Sequence, residues 1–232
     1  MSAWIFEPSE RPSVAIAGRG ERMPVRRVLC VGRNYAAHAR ESGADPDREP
    51  PFFFFKPTDA LVNDGALVPY PPLTSNLHFE VELVVAIARG GVDIAPSDAR
   101  GHVLGYAIGI DLTRRDLQSA AIKAGHPWDW GKSFDHSAPC GPIHTVDRVG
   151  HPERGRIWLA VNGAIKQDAS LSDLIWPVPD IIAQASQAMR LEEGDLIYTG
   201  TPAGVGPVVS GDRITAGIDG LGEIAIGIGE RE

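Results

Sequence analysis

Glycine and proline punctuate this chain so densely, 26 and 19 among 232 residues, that long regular segments have little room to form. Between them lie short runs rich in β-branched and aromatic residues, the pattern of many short strands joined by turns. Candidate strands span 28–31, 79–88, 102–111, 157–161, 196–198 and 223–228. Asn162-Gly163, directly after one of them, is a type I′ hairpin signal because both residues tolerate positive φ. Helices are few: 35–42, 114–124 and 179–189 carry apolar residues at helical spacing, and Pro179 supplies the fixed φ of a helix start. No regular strand–helix alternation is present, which disfavours a doubly wound nucleotide fold, and there is no internal repeat. The expected architecture is α+β and strand-rich, with residues 1–25 as an extended lead-in and 26–232 as a single domain.

Charge narrows the partners. A formal net charge of -8 and a pI near 5.4 would repel a phosphate backbone, so a nucleic-acid partner is not expected. Arg26-Arg27 and Arg114-Arg115 are the only adjacent basic pairs, too few for a polybasic membrane patch, and no apolar run is long enough to span a bilayer. The N-terminus lacks the basic-then-apolar order of a signal peptide. Cys30 and Cys140 form no CxxC or Cys/His cluster and read as free thiols in a reducing cytoplasm.

The run FEVELVVAIA, residues 79–88, carries the first chemistry. Side chains alternate faces along a strand, so Phe79, Val81, Leu83, Val85 and Ile87 share one side while Glu80, Glu82, Val84 and Ala86 share the other. Both faces are largely apolar, and two neighbouring carboxylates on one of them would repel each other and resist desolvation. A cation resolves both problems. In GYAIGIDLTRRDLQ, residues 105–118, Ala107, Gly109 and Asp111 share a face, and the small residues leave room for Asp111 to join the pair. Such an all-oxygen set suits Mg²⁺, Mn²⁺ or Ca²⁺ rather than zinc. Periodicity leaves an alternative open: Glu80 and Glu82 on the solvent face of an edge strand, with Asp111 capping the helix that begins near Arg114.

The strand pair, together with VGRNYAAHARESG and YTGTPAGVGPV, resembles the fumarylacetoacetate hydrolase family over about residues 25–229. The resemblance implies a mixed β-roll or barrel with a few short helices, a catalytic role for the domain at 26–232, a homodimer, and one Mg²⁺ or Mn²⁺ ion held by Glu80, Glu82 and Asp111. It also implies a His-x-x-Glu dyad on a short lid helix, which here is His38 and Glu41. An i, i+3 pair shares a helix face, so the carboxylate can orient the imidazole that activates water; the bland reading of such a pair is a solvated surface contact.

Lys132 in GKSFDHSAP matches the family lysine at the reaction centre, where an ammonium would stabilise an oxyanion. Arg33, Lys56, Arg115, Gln118 and Thr201 match positions near the substrate in relatives. The segment GTPAGVG, residues 200–206, fits neither GxGxxG nor GxxxxGK[ST] and reads as a rigid turn bordering the site.

Within the family, DPDREPPFFF and PWDWGKSFDHSAP look most like hydrolases that cut fumarylpyruvate into fumarate and pyruvate in gentisate degradation. A distal carboxylate on a small 2,4-dioxo acid of that kind needs a cation, for which Arg33 and Lys56 are the candidates. Phe55 and Thr58-Asp59 depart from the commoner family pattern around Lys56. Two other readings remain: an acylpyruvase, or an oxaloacetate decarboxylase or tautomerase, using the same metal site, and a non-catalytic β-rich binding domain.

Overall fold

The computed structural model describes residues 5–7, 9–41 and 51–231, apart from the side chains of Ala39 and Glu41. Its largest unit is an eight-stranded mixed sheet that curls into a half-barrel. Along it run Phe52–Lys56, Arg27–Gly32, Asp195–Tyr198, Val81–Ile87, Val103–Ile110, Ala138–Cys140 and Leu61–Asn63, with His144–Thr145 also paired to Val103–Ile110. A five-stranded sheet, in the order Ala164–Ser170, Arg156–Val161, Arg213–Ile218, Gly222–Arg231 and Leu67–Tyr70, packs against it. A small antiparallel sheet of Thr113–Arg114, Leu77–Phe79 and Gly206–Val208 closes one end.

The alternation in residues 79–88 sorts the molecule into two cores. Val81, Leu83, Val85 and Ile87 join a large cluster with Ile157, Leu159, Ile214 and Ile226 of the five-stranded sheet and Ile181 and Ile182 of the helix Val178–Ala188. Val84 and Ala86 point the other way, into a smaller cluster with Val28, Cys30, Ala107, Leu196 and Tyr198. Burying each such branched side chain contributes roughly 1.5–3 kcal/mol, so a register slip that exchanged the two faces would be prohibitive. Residues 13–24, within the lead-in, form the hairpin Ser13–Ala15 with Arg22–Pro24, whose Val14 and Met23 cover the second core.

The short-strand pattern holds, and the predicted strands appear with shifted ends. The main departure is at Glu80, where the expected 79–88 run divides into Leu77–Phe79 and Val81–Ile87. Two contacts from distant segments cause it: the Val81 amide donates to the side chain of Gln167 at 3.0 Å, and the Glu80 carbonyl accepts from the Asp111 amide at 2.8 Å. At the Asn162-Gly163 turn both φ angles are positive, 51° and 80°, as a type I′ hairpin requires. The three predicted helices appear as Ala36–Glu41, Arg115–Ala124 and Val178–Ala188, Ser42 lying outside the described residues. Both cysteines are buried free thiols, and burial pushes the Cys140 thiol up to about 12. Among the described residues no helix is long and apolar enough to cross a membrane.

Candidate metal centre and active site

Glu80, Glu82 and Asp111 stand where the second face of the large sheet meets the small one. Pairing of Val81–Ile87 with Val103–Ile110 puts Glu82 opposite Gly109, and the Asp111–Glu80 backbone bond draws the third carboxylate alongside. Ligand oxygens of the three lie within 4.8 Å of one another. All three residues are buried, at 4%, 1% and 0% exposure, and Val81–Ile87 is an inner strand. The edge-strand alternative is therefore excluded, as is helix capping by Asp111, because the helix Arg115–Ala124 starts from Arg114 without a side-chain cap. The room beside Gly109 is filled by the Tyr198 ring, so the small residues serve packing and not ligand access.

Cations answer two of the three acids. Lys132 Nζ donates to Glu80 Oε2 at 2.8 Å, Asp111 Oδ2 at 2.7 Å and Thr113 Oγ1 at 2.7 Å. Arg115 pairs with the other oxygen of Glu80. Lys56 Nζ lies 2.8 Å from Asp111 Oδ1, an ion contact too poorly angled for a hydrogen bond. Burial opposes the charge on Glu80, but Lys132 and Arg115 more than offset it and hold its carboxyl well below the usual range. Burial likewise opposes the charge on Lys132, and Asp111 and Glu80 outweigh it, so its pKa is raised.

Glu82 differs. Burial, then Asp111, then Glu80 push its carboxyl well above the ordinary value, and its hydrogen bond comes from the Gly200 amide at 2.7 Å. A divalent ion shared by the three acids would remove that penalty, and oxygen-only donors select a hard ion of the Mg²⁺ or Mn²⁺ type. The residues present fit such an ion.

A cavity of about 100 Å³ opens over the triad. Around it the fold gathers Arg33, His38, Glu80, Glu82, Asp111, Arg115, Gln118, Lys132 and Thr201 from segments far apart in sequence. His38, on the short helix Ala36–Glu41, is buried, which removes the solvated-contact reading for it. Glu41 closes the same helix, and its side chain lies outside the described residues. Gln118 accepts from Arg115, and Thr201 Oγ1 accepts from Gln167 at 2.8 Å. Lys56 is the residue the fold does not bring to the cavity. Its side chain is fully buried and bonds inward, to the carbonyl of Leu112 at 3.0 Å and to that of Lys132, so it supports Asp111 from beneath instead of meeting a distal carboxylate.

Three positioning residues escaped the sequence reading. Gln167 ties Val81 to Thr201 and the Pro202 carbonyl. Thr113 completes the Lys132 cradle. Asn34, fully buried, holds the start of the His38 helix by donating to the carbonyls of Trp176 at 3.0 Å and Thr199 at 2.8 Å. Asn34 and Thr113 did lie within the VGRNYAAHARESG and GYAIGIDLTRRDLQ strings, whereas Gln167 carried no local signal.

A buried carboxylate triad that opens to a cavity ringed by Arg33, Arg115 and Lys132 is the kind of centre found in metal-dependent enzymes. The profile described as "Fumarylacetoacetate (FAA) hydrolase C-terminal" matches residues 27–228, and the chain belongs to that family. It is 46% identical over 188 residues to a fumarylpyruvate hydrolase of a Ralstonia species, covering 81% of this chain and 97% of that one. It is 42% identical over 196 residues to a mitochondrial oxaloacetate tautomerase of Mus musculus, covering 84% and 88%. The crystal structure of fumarylpyruvate hydrolase from Pseudomonas aeruginosa in complex with Mn²⁺ and pyruvate superposes with a TM-score of 0.97 at 48% identity, covering 99% of this chain and 100% of that one.

Proposed function

We propose that this chain is a divalent-metal-dependent hydrolase that cleaves the C3–C4 bond of a 2,4-dioxo acid, with fumarylpyruvate as substrate and fumarate and pyruvate as products. The observation that carries the reading is the convergence of nine acidic, basic and polar side chains on one small cavity, in a chain so similar to a crystal structure in complex with Mn²⁺ and pyruvate. In this reading Glu80, Glu82 and Asp111 hold Mg²⁺ or Mn²⁺, which supplies Lewis-acid polarisation of the 2-oxo acid end.

The chain's own residues do the rest. Arg115, kept in place by Gln118, and Thr201 hold the carboxylate end of the substrate. His38 takes a proton from the water that adds to C4, and Glu41 orients its ring. The Lys132 ammonium, fixed by Asp111 and Thr113, offers charge to the C4 oxygen as negative charge develops there. The C3–C4 bond then breaks with its electron pair going to C3, which is protonated to give pyruvate. One water is consumed, and the acyl half leaves as fumarate. Arg33, at the cavity wall, is the cation for the distal carboxylate.

The intact catalytic set argues against a non-catalytic binding domain. Similarity to an oxaloacetate tautomerase makes proton transfer without water addition the competing chemistry. The enzyme is also proposed to act as a cytoplasmic homodimer, which sedimentation analysis tests for oligomeric state. Incubating Mn²⁺-loaded protein with fumarylpyruvate, and separately with oxaloacetate, decides the reaction by product analysis. Fumarate and pyruvate in equal amounts are expected; turnover of oxaloacetate alone would refute the hydrolase.

A further inference from the structure

The small metal-side cavity does not end at its own wall. It shares Arg33, Phe54, Trp128 and Lys132 with a second, larger chamber of about 500 Å³. Aromatic rings define that chamber. Phe52 meets Trp128 edge-on with centroids 5.0 Å apart, and Phe54 meets the same indole at 5.9 Å, tilted by 51°. Cations mark its border with the metal side: Arg33 Cζ lies 5.7 Å from the Phe52 ring centre, and Lys132 Nζ lies 5.1 Å from that of Phe54.

This arrangement is built into the local sequence. In Phe52–Lys56 the alternation sends Phe52 and Phe54 to one face. The Phe52 ring lies so close over Gly32 that any Cβ there would overlap it, and the next residue, Arg33, turns back with φ of 57°. Glycine at 32 thus lets the ring lie flat, and the turn at 33 sets the guanidinium above it. On the opposite side the Trp128 carbonyl accepts from the Gly131 and Lys132 amides at 2.8 and 2.9 Å. The residue that walls the chamber therefore also anchors the turn that delivers Lys132.

Volumes assign the two spaces different halves of one molecule. The metal-side cavity is the smaller space, about 100 Å³ against about 500 Å³, and suits the compact 2-oxo acid end. An arm joined beyond C4 then has the adjoining aromatic chamber, past Lys132, as its larger space. Flat ring faces and edges favour a planar, conjugated group, and a guanidinium at the rim favours a carboxylate on that group.

We propose that Phe52, Phe54 and Trp128 form the specificity wall for the acyl arm of the substrate, selecting a planar unsaturated arm that ends in a carboxylate held by Arg33. The inference rests on the hydrolase reading above and names the residues that decide which acyl group is accepted. Small substrates that end at the metal-side cavity, such as acetylpyruvate and oxaloacetate, meet only the part of the wall that Phe54 and Trp128 present to that cavity.

The test compares the wild-type Mn²⁺-loaded protein with Trp128→Ala, Trp128→Phe and, as a milder change, Phe52→Leu. Trp128→Ala is expected to lower kcat/KM for fumarylpyruvate by roughly 10- to 100-fold, the range of a lost contact in an apolar pocket, and kcat/KM for acetylpyruvate by a clearly smaller factor. Trp128→Phe recovers most of the loss, and Phe52→Leu shifts the ratio of the two substrates in the same direction. Calorimetric titration with fumarate gives a readout independent of turnover: its affinity falls in Trp128→Ala, and that of pyruvate does not. An equal fall for both substrates, or unchanged fumarate affinity, overturns the proposal. Absence of fumarylpyruvate cleavage in the wild type would defeat the hydrolase reading instead, and the fumarate titration would still decide the wall.

Discussion

The two joined cavities differ in almost every physical respect. One is small and crowded with charged groups, with two of its three carboxylates, Glu80 and Asp111, answered by Lys132, Arg115 and Lys56 from three directions. The other is about five times larger, aromatic, and charged mainly at its border. Buried ion clusters are costly to assemble, because each ion loses its hydration and only good geometry restores the balance. The charged cavity must therefore be over-determined by its scaffold, and it is: Lys132 makes three hydrogen bonds, and both oxygens of Asp111 face a lysine. The aromatic chamber needs no such network. It can be reshaped at modest cost, which is what a region that sets selectivity requires, while the charged cavity is suited to invariant chemistry.

Lys132 lines both spaces, so its loss should have the largest effect on this contrast. Lys132→Met is expected to lower kcat by about 10²- to 10³-fold, the usual consequence of removing an oxyanion donor. Steady-state kinetics on fumarylpyruvate and acetylpyruvate should show the same loss for both, unlike the selective loss at Trp128.

Lys56 touches only the charged side, from below. Lys56→Met strips Asp111 Oδ1 of its buried partner and should destabilise the protein by about 3–5 kcal/mol in urea unfolding. Added Mn²⁺ should restore part of that loss, because the ion takes over the uncompensated charge. If stability were unchanged, the account of the charged cavity as a cluster held from beneath would be wrong.

The smallest effect lies outside both cavities and serves as a control. Tyr106 Oη and His151 Nδ1 are 2.7 Å apart, and burial, with Arg100, lowers the His151 pKa. The unfolded chain protonates this histidine near about pH 6.5, and the folded chain does so only at lower pH. The unfolded state thus holds more protons between those two values, and stability falls as pH falls through that window. His151→Gln should make the decline from about pH 7.5 to about pH 5 slightly shallower in urea melts, with kcat/KM unaltered. A steeper decline would contradict the assigned direction.

Legibility followed the range of the interactions. The two-faced strand 81–87 was readable because alternation is local, and Glu82, Val84 and Ala86 do share a face. The turn at Asn162-Gly163 was readable for the same reason. What periodicity left even, a solvent-facing or a buried pair of acids, was decided by strand order, which places Asp195–Tyr198 and Val103–Ile110 on either side. Strand order depends on long-range pairing and leaves no trace in a ten-residue window. Lys56 shows the limit most clearly: its match to a position near the substrate in relatives suggested the pocket, but burial of the strand end turned its ammonium inward to Asp111. Gln167 was invisible for a similar reason, since its partners Val81 and Thr201 are far away along the chain. The aromatic run was seen as a string, and only the fold made Phe52, Phe54 and Trp128 into one wall.

The central claim is that the buried acids constitute a single divalent-ion site in which Glu82 is the member least compensated by the protein itself. Calorimetric titration of Mn²⁺ into the chelator-treated wild type and into Glu82→Gln tests it directly. One ion per chain is expected in the wild type, and at least about tenfold weaker binding in the variant. Equal affinity in the two proteins, or no binding by the wild type, would contradict it.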